Sequence, residues 1–127
     1  MIIATGIDII EIERFQKTME RYDRLFLDHI FTPEEQAAAP KNATARVTYF
    51  AARWAVKEAV AKTLGTGIGE QCAWTDIAVQ RSPLGKPSVT LSGQAAQTAA
   101  QLGIAAIHVS ISHERHYACA VAIGESP

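Results

Sequence analysis

Two acidic residues, Asp8 and Glu58, are the first candidates for chemistry, because each lies in an otherwise apolar stretch of the chain. The run at residues 2–10 predicts a strand, and Gly6 within it would let another element approach the backbone closely. An acid in such a strand needs a cation or a hydrogen-bond donor. The alternative interpretation is that Asp8 caps the helix that follows it.

Glu58 and Lys62 share one stripe of a long, largely apolar helix that is predicted to end near Leu64. Their spacing also fits an ordinary ion pair on a solvated face. Arg46, Arg53 and Lys57 share a second stripe of the same helix, which that interpretation likewise places in solvent. If Asp8 and Glu58 meet, two carboxylates beside an ammonium suit a magnesium–pyrophosphate complex. Mg²⁺ takes one or two protein carboxylates and fills its other positions with water and phosphate oxygens.

Two further segments could face a ligand. Gly65, Gly67 and Gly69 alternate after the long helix, and only Gly65 is explained as its C-cap. Exposed amides here could cradle a phosphate, although the segment lacks the preceding strand and the ending of a P-loop. In the predicted strand at 105–112, His108 alternates with apolar residues, so it is either structural or part of a wall that faces a ligand.

The helix predicted at residues 11–27 has two distinct faces. Its apolar arc contains Ile12, Phe15, Met19, Tyr22 and Phe26. The opposite arc contains Arg14, Lys17, Arg21 and Arg24. Such a basic stripe is either simply the solvated side of the helix or a surface that docks an acidic partner.

Helices and strands alternate along the rest of the chain without strict βαβ order. Further strands are predicted at 74–81, 87–91 and 117–123, and further helices after the Thr32-Pro33 cap, from Asn42 or Thr44 to Leu64, and at 92–102 behind a Ser92 cap. We therefore expect an α+β fold, with a mostly antiparallel sheet packed on one long central helix, in a single domain over residues 1–127. The first strand is apolar on both faces, which predicts a central position in the sheet.

Composition excludes several classes of protein. The 127 residues are 48% apolar and 20% charged, so the chain is not disordered, and no apolar run is long enough for a membrane span. With 12 basic and 13 acidic residues, gross charge gives no reason to expect nucleic-acid binding. The start lacks a basic region typical of secretory signals, and only Cys72 and Cys119 carry thiols, so we expect a cytoplasmic protein with free cysteines.

Taken together, these segments resemble the holo-[acyl carrier protein] synthase family over essentially the whole chain. The most specific match is the Trp54–Lys62 block with the upstream Gly6-Ile7-Asp8. The supporting matches are Phe31–Glu35, Gly65–Gly69, Gly85-Lys86-Pro87 and His108–His113. The resemblance implies the fold of the 4′-phosphopantetheinyl transferase superfamily, in its small trimeric form.

The family's activity is to transfer the 4′-phosphopantetheine arm of coenzyme A to a serine of apo-acyl carrier protein, in the service of fatty acid biosynthesis. The resemblance implies that Asp8 and Glu58 hold Mg²⁺ and that Lys62 lies beside the pyrophosphate, which makes all three catalytic. Either Glu58 or a water on the metal could accept the serine proton, and the sequence leaves that choice open.

The resemblance also assigns the binding surfaces. It implies that the coenzyme A site is lined by Arg53, Lys62, Gly65, Thr66, Gly67 and His108. It implies that the carrier's acidic helix docks on Arg14, Arg21 and Arg24. It implies a homotrimer whose active sites lie between subunits. The alternatives are a non-catalytic coenzyme A or nucleotide-binding subunit of the same fold, and a structural oligomer in which the two acids only pair with basic side chains.

Overall fold

The computed structural model describes residues 1–127, and its elements alternate between helix and strand. The strands are β1 (Ile2–Glu11), β2 (Ile77–Arg81), β3 (Pro87–Leu91), β4 (Ala106–His113) and β5 (Tyr117–Glu125). The helices are α1 (Ile12–Ile30), α2 (Pro33–Ala37), α3 (Ala43–Thr63) and α4 (Gly93–Gln101), and a 3₁₀ turn at Trp74–Asp76 leads into β2. The strand predicted from residue 74 therefore begins only at Ile77.

All strand pairs are antiparallel, which confirms the predicted α+β class, but the strands form two sheets instead of one. One sheet has the order β1-β5-β4 and the other pairs β2 with β3. The prediction that β1 is central is wrong, because β1 lies at the edge of its sheet. Its second apolar face carries Ile7 and Ile9, each 66% exposed, so one chain leaves that face uncovered.

The helix α3 packs against β1, β5, β4 and α1, which explains why it is apolar nearly all round. Asn42 caps it, since its side chain accepts a hydrogen bond from the Ala45 amide at 3.0 Å. Gly6 is required where β1 crosses α3: a Cβ there would collide with the Ala59 carbonyl oxygen and lie 2.7 Å from the Thr63 hydroxyl. The close approach predicted for Gly6 is thus confirmed, and α3 is the element that approaches.

The helix α1 extends to Ile30, three residues beyond the predicted end, and it is kinked. Asp23 has φ 48° and ψ −126°, and it is the one residue other than glycine with a positive φ. Ile12 and Phe15 are buried as predicted, whereas Tyr22 is 51% exposed. The prediction that Tyr22 belongs to the buried apolar arc is therefore wrong, whereas Phe26, beyond Asp23, still packs on Phe15.

An aromatic cluster fills the corner between α1, α3 and the 3₁₀ turn. The rings of Phe26 and Trp54 stack with centroids 5.8 Å apart, and Phe15 packs edge-on against both. Trp74 lies on the other side of Trp54, with ring centroids 4.4 Å apart. These contacts hold both parts of the kinked helix against α3.

Two helix caps were predicted outside α3, and they differ in outcome. Thr32 and Glu35 form the expected capping box of α2. Ser92 precedes α4 but makes no side-chain cap bond. Its place is taken by Asp76, whose carboxylate accepts a hydrogen bond from the Ala95 amide at 3.2 Å.

Candidate active site

Asp8 faces α3 because it lies two residues after Gly6 and so points to the same side of β1. The Lys62 ammonium, in the last turn of α3, donates hydrogen bonds to the Ile7 carbonyl oxygen at 2.8 Å and to the Asp8 carboxylate at 3.3 Å. The interpretation of Asp8 as a helix cap is therefore wrong. Glu11 occupies the cap position of α1, without a side-chain bond.

The charge of Asp8 contributes to a raised pKa of the Glu58 carboxyl, so the two carboxylates lie within electrostatic range of each other. Burial is the larger cause of that raised pKa, and Lys62 partly opposes it. Burial likewise raises the pKa of the Asp8 carboxyl, and the hydrogen bond that Lys62 donates to it partly lowers that pKa again. Lys62 forms its ion pair with Asp8 and none with Glu58, so the simple pair four residues apart on α3 is not observed.

Two adjacent, partly buried carboxylates are hard oxygen donors of the kind that Mg²⁺ prefers. The structure contains no group of three or more histidine, cysteine, aspartate or glutamate side chains that could hold a metal alone. Asp8 and Glu58 therefore fit an ion that takes its remaining oxygens from water and a phosphorylated ligand. Without such an ion, the Lys62 ammonium neutralises part of the negative charge through its ion pair with Asp8.

Arg53 and Lys57 are buried, so the prediction of a solvated stripe is wrong for both of them. The Arg53 guanidinium lies 3.6 Å from the centroid of the Tyr49 ring, and its Nε has no hydrogen-bond partner although it is buried. It lines a cavity of about 550 Å³ together with Arg81. Arg53 and Glu58 project about 140° apart around α3, so within one chain they face different sides.

Lys57 and Glu35 form an ion pair that the sequence did not indicate. The Lys57 ammonium, fully buried, donates to the Glu35 carboxylate at 2.8 Å and to the carbonyl oxygens of Ile30 and Trp74 at 2.7 and 3.1 Å. Glu35 also accepts a hydrogen bond from the Val79 amide at 2.8 Å. The capping box gave a signal for Glu35, but nothing in the sequence linked that carboxylate to Lys57.

The loop after α3 offers fewer free amides than its glycines suggest. Gly65 and Gly67 have the positive φ values of 76° and 64°, and their amides donate back to carbonyl oxygens of α3. The Gly69 amide donates to the Cys72 carbonyl oxygen at 2.9 Å. A cradle built on these three glycine amides is therefore not formed. The Thr66 hydroxyl donates to the Gly67 carbonyl oxygen, and the role of the loop in binding remains a prediction.

His108 projects from the outer face of the β1-β5-β4 sheet, away from α3. Its Nε2 lies 2.9 Å from the Glu125 carboxylate, and this hydrogen bond lowers the pKa of the Glu125 carboxyl. His108 is thus on a different side of the chain from Asp8 and Glu58. The same outer face carries the uncovered Ile7 and Ile9.

The basic side chains on α1 lie at the surface. Arg14, Arg21 and Arg24 are exposed, and none of them forms an ion pair within the chain, whereas Lys17 pairs with Glu13 at 3.6 Å. Arg14 also lines a groove of about 280 Å³ whose wall includes Phe15 and Trp54. Unpaired arginines beside an apolar groove are suited to an acidic protein surface.

Both cysteines are free, as expected. Cys72 is buried, and burial raises the pKa of its thiol to about 11, so it is an unreactive packing residue. No helix in the structure has the length and apolar character needed to cross a lipid bilayer.

Comparison with known proteins identifies the class that this fold and site define. The family described as the 4′-phosphopantetheinyl transferase superfamily matches residues 4–122. The chain belongs to this superfamily and is therefore a member of a family of enzymes, which confirms the resemblance found in the sequence.

The similar relatives within the superfamily carry one particular name. The chain is 46% identical over 127 residues to a holo-[acyl-carrier-protein] synthase of Vibrio cholerae, covering 98% of each chain. It is 43% identical over 126 residues to that of Desulfovibrio desulfuricans, covering 99% of each. The crystal structure of the Neisseria meningitidis synthase has a TM-score of 0.90 at 31% identity, covering 99% of this chain and 100% of that one.

A structure with bound ligand is also similar. The Helicobacter pylori holo-[acyl-carrier-protein] synthase in complex with coenzyme A has a TM-score of 0.84 at 31% identity. The match covers 95% of this chain and 99% of that one. The α+β architecture described above is thus that of a known coenzyme A-binding relative.

Proposed function

We propose that this chain transfers the 4′-phosphopantetheine arm of coenzyme A to a serine of apo-acyl carrier protein, in a reaction that depends on Mg²⁺. The single observation that carries this proposal is the contact of Lys62 with Asp8 where β1 crosses α3, within the superfamily's fold, with Glu58 in electrostatic range of both. The products are holo-acyl carrier protein and adenosine 3′,5′-bisphosphate.

The chemistry assigns a task to each of the three side chains. The serine oxygen forms a bond to the phosphorus of the pantetheine phosphate, the pyrophosphate bond breaks, and negative charge grows on the leaving phosphate. Bound Mg²⁺ supplies charge stabilisation on the phosphate oxygens. Asp8 and Glu58 are the residues that would hold it, Lys62 neutralises the leaving group, and Glu58 orients the acceptor of the serine proton.

Coenzyme A binding is proposed to use Arg53, His108 and the segment Gly65–Gly67 in addition to Lys62. Arg53 lines a cavity together with Arg81, and two guanidinium groups there suit an anionic group of the ligand. Because Arg53 and His108 face away from Glu58, a complete site needs parts of more than one chain. This supports active sites between subunits of a homotrimer.

The uncovered outer face of the β1-β5-β4 sheet supports the same assembly, because exposed apolar faces of this kind mark protein interfaces. An Ile7→Glu variant is expected to dissociate in sedimentation experiments and to lose transfer activity together with assembly. An active monomer would contradict sites between subunits. Each subunit is proposed to be a single domain over residues 1–127, and the cytoplasm stays the expected location, in keeping with two free thiols.

The carrier is proposed to dock on the exposed Arg14, Arg21 and Arg24 of α1. Replacing Arg14 and Arg21 by glutamate should raise the KM for the carrier and leave coenzyme A binding intact, since neither residue touches the carboxylate site. An unchanged carrier KM at low ionic strength would contradict the docking surface.

The deciding experiment is an intact-mass assay of apo-acyl carrier protein mixed with this protein and coenzyme A, with Mg²⁺ or with EDTA. The carrier should gain the mass of one phosphopantetheine only when the metal is present. A Glu58→Gln variant with wild-type turnover would contradict the role of that carboxylate. If no carrier gains mass while coenzyme A still binds by calorimetry, the chain is the non-catalytic binding subunit instead.

A further inference from the structure

The kink in α1 separates two parts of the surface on which the proposed carrier docks. Arg14 and Arg21 precede Asp23, whereas Arg24 and the 81% exposed Leu25 follow it. Asp23 itself has φ 48° and ψ −126°, a conformation that L-residues with a side chain adopt rarely. The relative direction of the two parts of α1 therefore depends on the backbone at one residue.

The side chain of Asp23 does not explain why the kink is there. It is exposed, and it forms neither an ion pair nor a hydrogen bond that would favour this backbone conformation. The two parts of α1 that Asp23 joins are anchored in the core separately. Ile12 and Phe15 anchor the first part in the core, and Leu27 and Ile30 anchor the second.

The second part has additional fixed contacts that keep it from joining a straight helix. The Gln36 side-chain amide donates to the Asp28 carboxylate and to the Phe31 carbonyl oxygen, each at 3.1 Å. The Phe26 ring stacks on Trp54, which belongs to α3. An unfavourable backbone conformation that persists under such constraint is often retained where it serves function.

We propose that Asp23 is a positioning residue for carrier recognition: its backbone conformation sets the angle between the Arg14–Arg21 part of α1 and the Arg24–Leu25 part. This inference rests on the proposed function, because the partner is the acidic surface of the acyl carrier protein. The arginines supply the charge, and the exposed Leu25 beside Arg24 supplies apolar contact. A partner that contacts both parts fits only one angle between them. A change of that angle therefore weakens docking and leaves the carboxylate site unaltered.

The test compares substitutions that differ in their tolerance of a positive φ. Asp23→Gly accepts this conformation without steric cost, and Asp23→Asn keeps the shape of the wild-type side chain while it removes the charge. Both should keep the carrier KM at or below the wild-type value, within about twofold. Asp23→Val should raise the carrier KM about fivefold or more, because a β-branched residue disfavours the kink, with kcat and the KM for coenzyme A unchanged.

Two outcomes would overturn the inference. One is a carrier KM for Asp23→Val equal to that of Asp23→Asn, and the other is a parallel rise in the KM for coenzyme A. If Asp23→Val does not fold, Asp23→Ala gives the same comparison with a smaller steric conflict. Transfer by the wild type is measured first, and an inactive wild type contradicts the proposed function. An active wild type whose Asp23 variants all have the same carrier KM contradicts only the role of Asp23.

Discussion

Replacing Lys57 by methionine should destabilise the chain strongly, because it breaks a fully buried ion pair from one side. The variant leaves the Glu35 carboxylate without its cation and the Ile30 and Trp74 carbonyl oxygens without their donor. Burial lowers the pKa of the Lys57 ammonium and the Glu35 carboxylate opposes this. Each buried charge is therefore compensated only while both partners are present. Removing one partner of such a pair costs about 3–5 kcal/mol of unfolding free energy.

Urea denaturation, with wild type and variants compared at the same protein concentration, measures this loss. The matched control is Lys41→Met, which removes a lysine at the exposed start of the segment before α3 and should cost about 0.5 kcal/mol or less. A double variant, Lys57→Met with Glu35→Gln, should be more stable than the sum of the two single losses predicts, by about 1 kcal/mol or more. A loss for Lys57→Met as small as the control would refute the reasoning.

Three further outcomes concern β1 and the carboxylate site. Gly6→Ala should lower the unfolding free energy by about 2 kcal/mol or more in urea, because its Cβ would collide with the Ala59 carbonyl; an unchanged midpoint would contradict the close contact. Glu58→Gln should raise the melting temperature in EDTA at neutral pH by about 1–3 °C. Because the pKa of Glu58 is raised, the folded wild type binds more protons than the unfolded chain above pH 4.5, so its stability falls as the pH rises through that pKa. A Glu58→Gln variant that melts no higher than the wild type would contradict this. Lys62→Met should bind Mn²⁺ about threefold to tenfold more tightly without coenzyme A, measured by calorimetry, because the competing cation is gone; weaker binding would contradict that competition.

The sequence predicted the elements well where local pattern determines them. Apolar runs and alternation located the strands, while Thr32 and Asn42 marked helix starts by short-range hydrogen bonding that needs no tertiary context, and Pro33 by its fixed φ. Asp8 stood out because an acid in an apolar strand needs compensation, and Lys62 supplies it. These signals lie within a few residues of the feature that they predict.

The features that were missed depend on contacts across the chain. Glu35 and Lys57 each had an adequate local explanation, as a capping residue and as part of a polar stripe, and only folding shows that they meet. The kink at Asp23 has no sequence signal, because aspartate within a helical pattern does not demand a positive φ. The position of β1 was inferred from two apolar faces, and that pattern does not distinguish a strand flanked by two others from an edge strand with an uncovered face.

The contact between Trp54 and Trp74 has a spectroscopic consequence. They are the two tryptophans of the chain, so its tryptophan fluorescence comes from a single corner, where the second part of α1 rests on α3. An emission change reports the opening of that corner, while far-ultraviolet circular dichroism reports the helices and sheets as a whole. Coincident transitions would establish cooperative unfolding, and an earlier fluorescence change would show that the end of α1 detaches first.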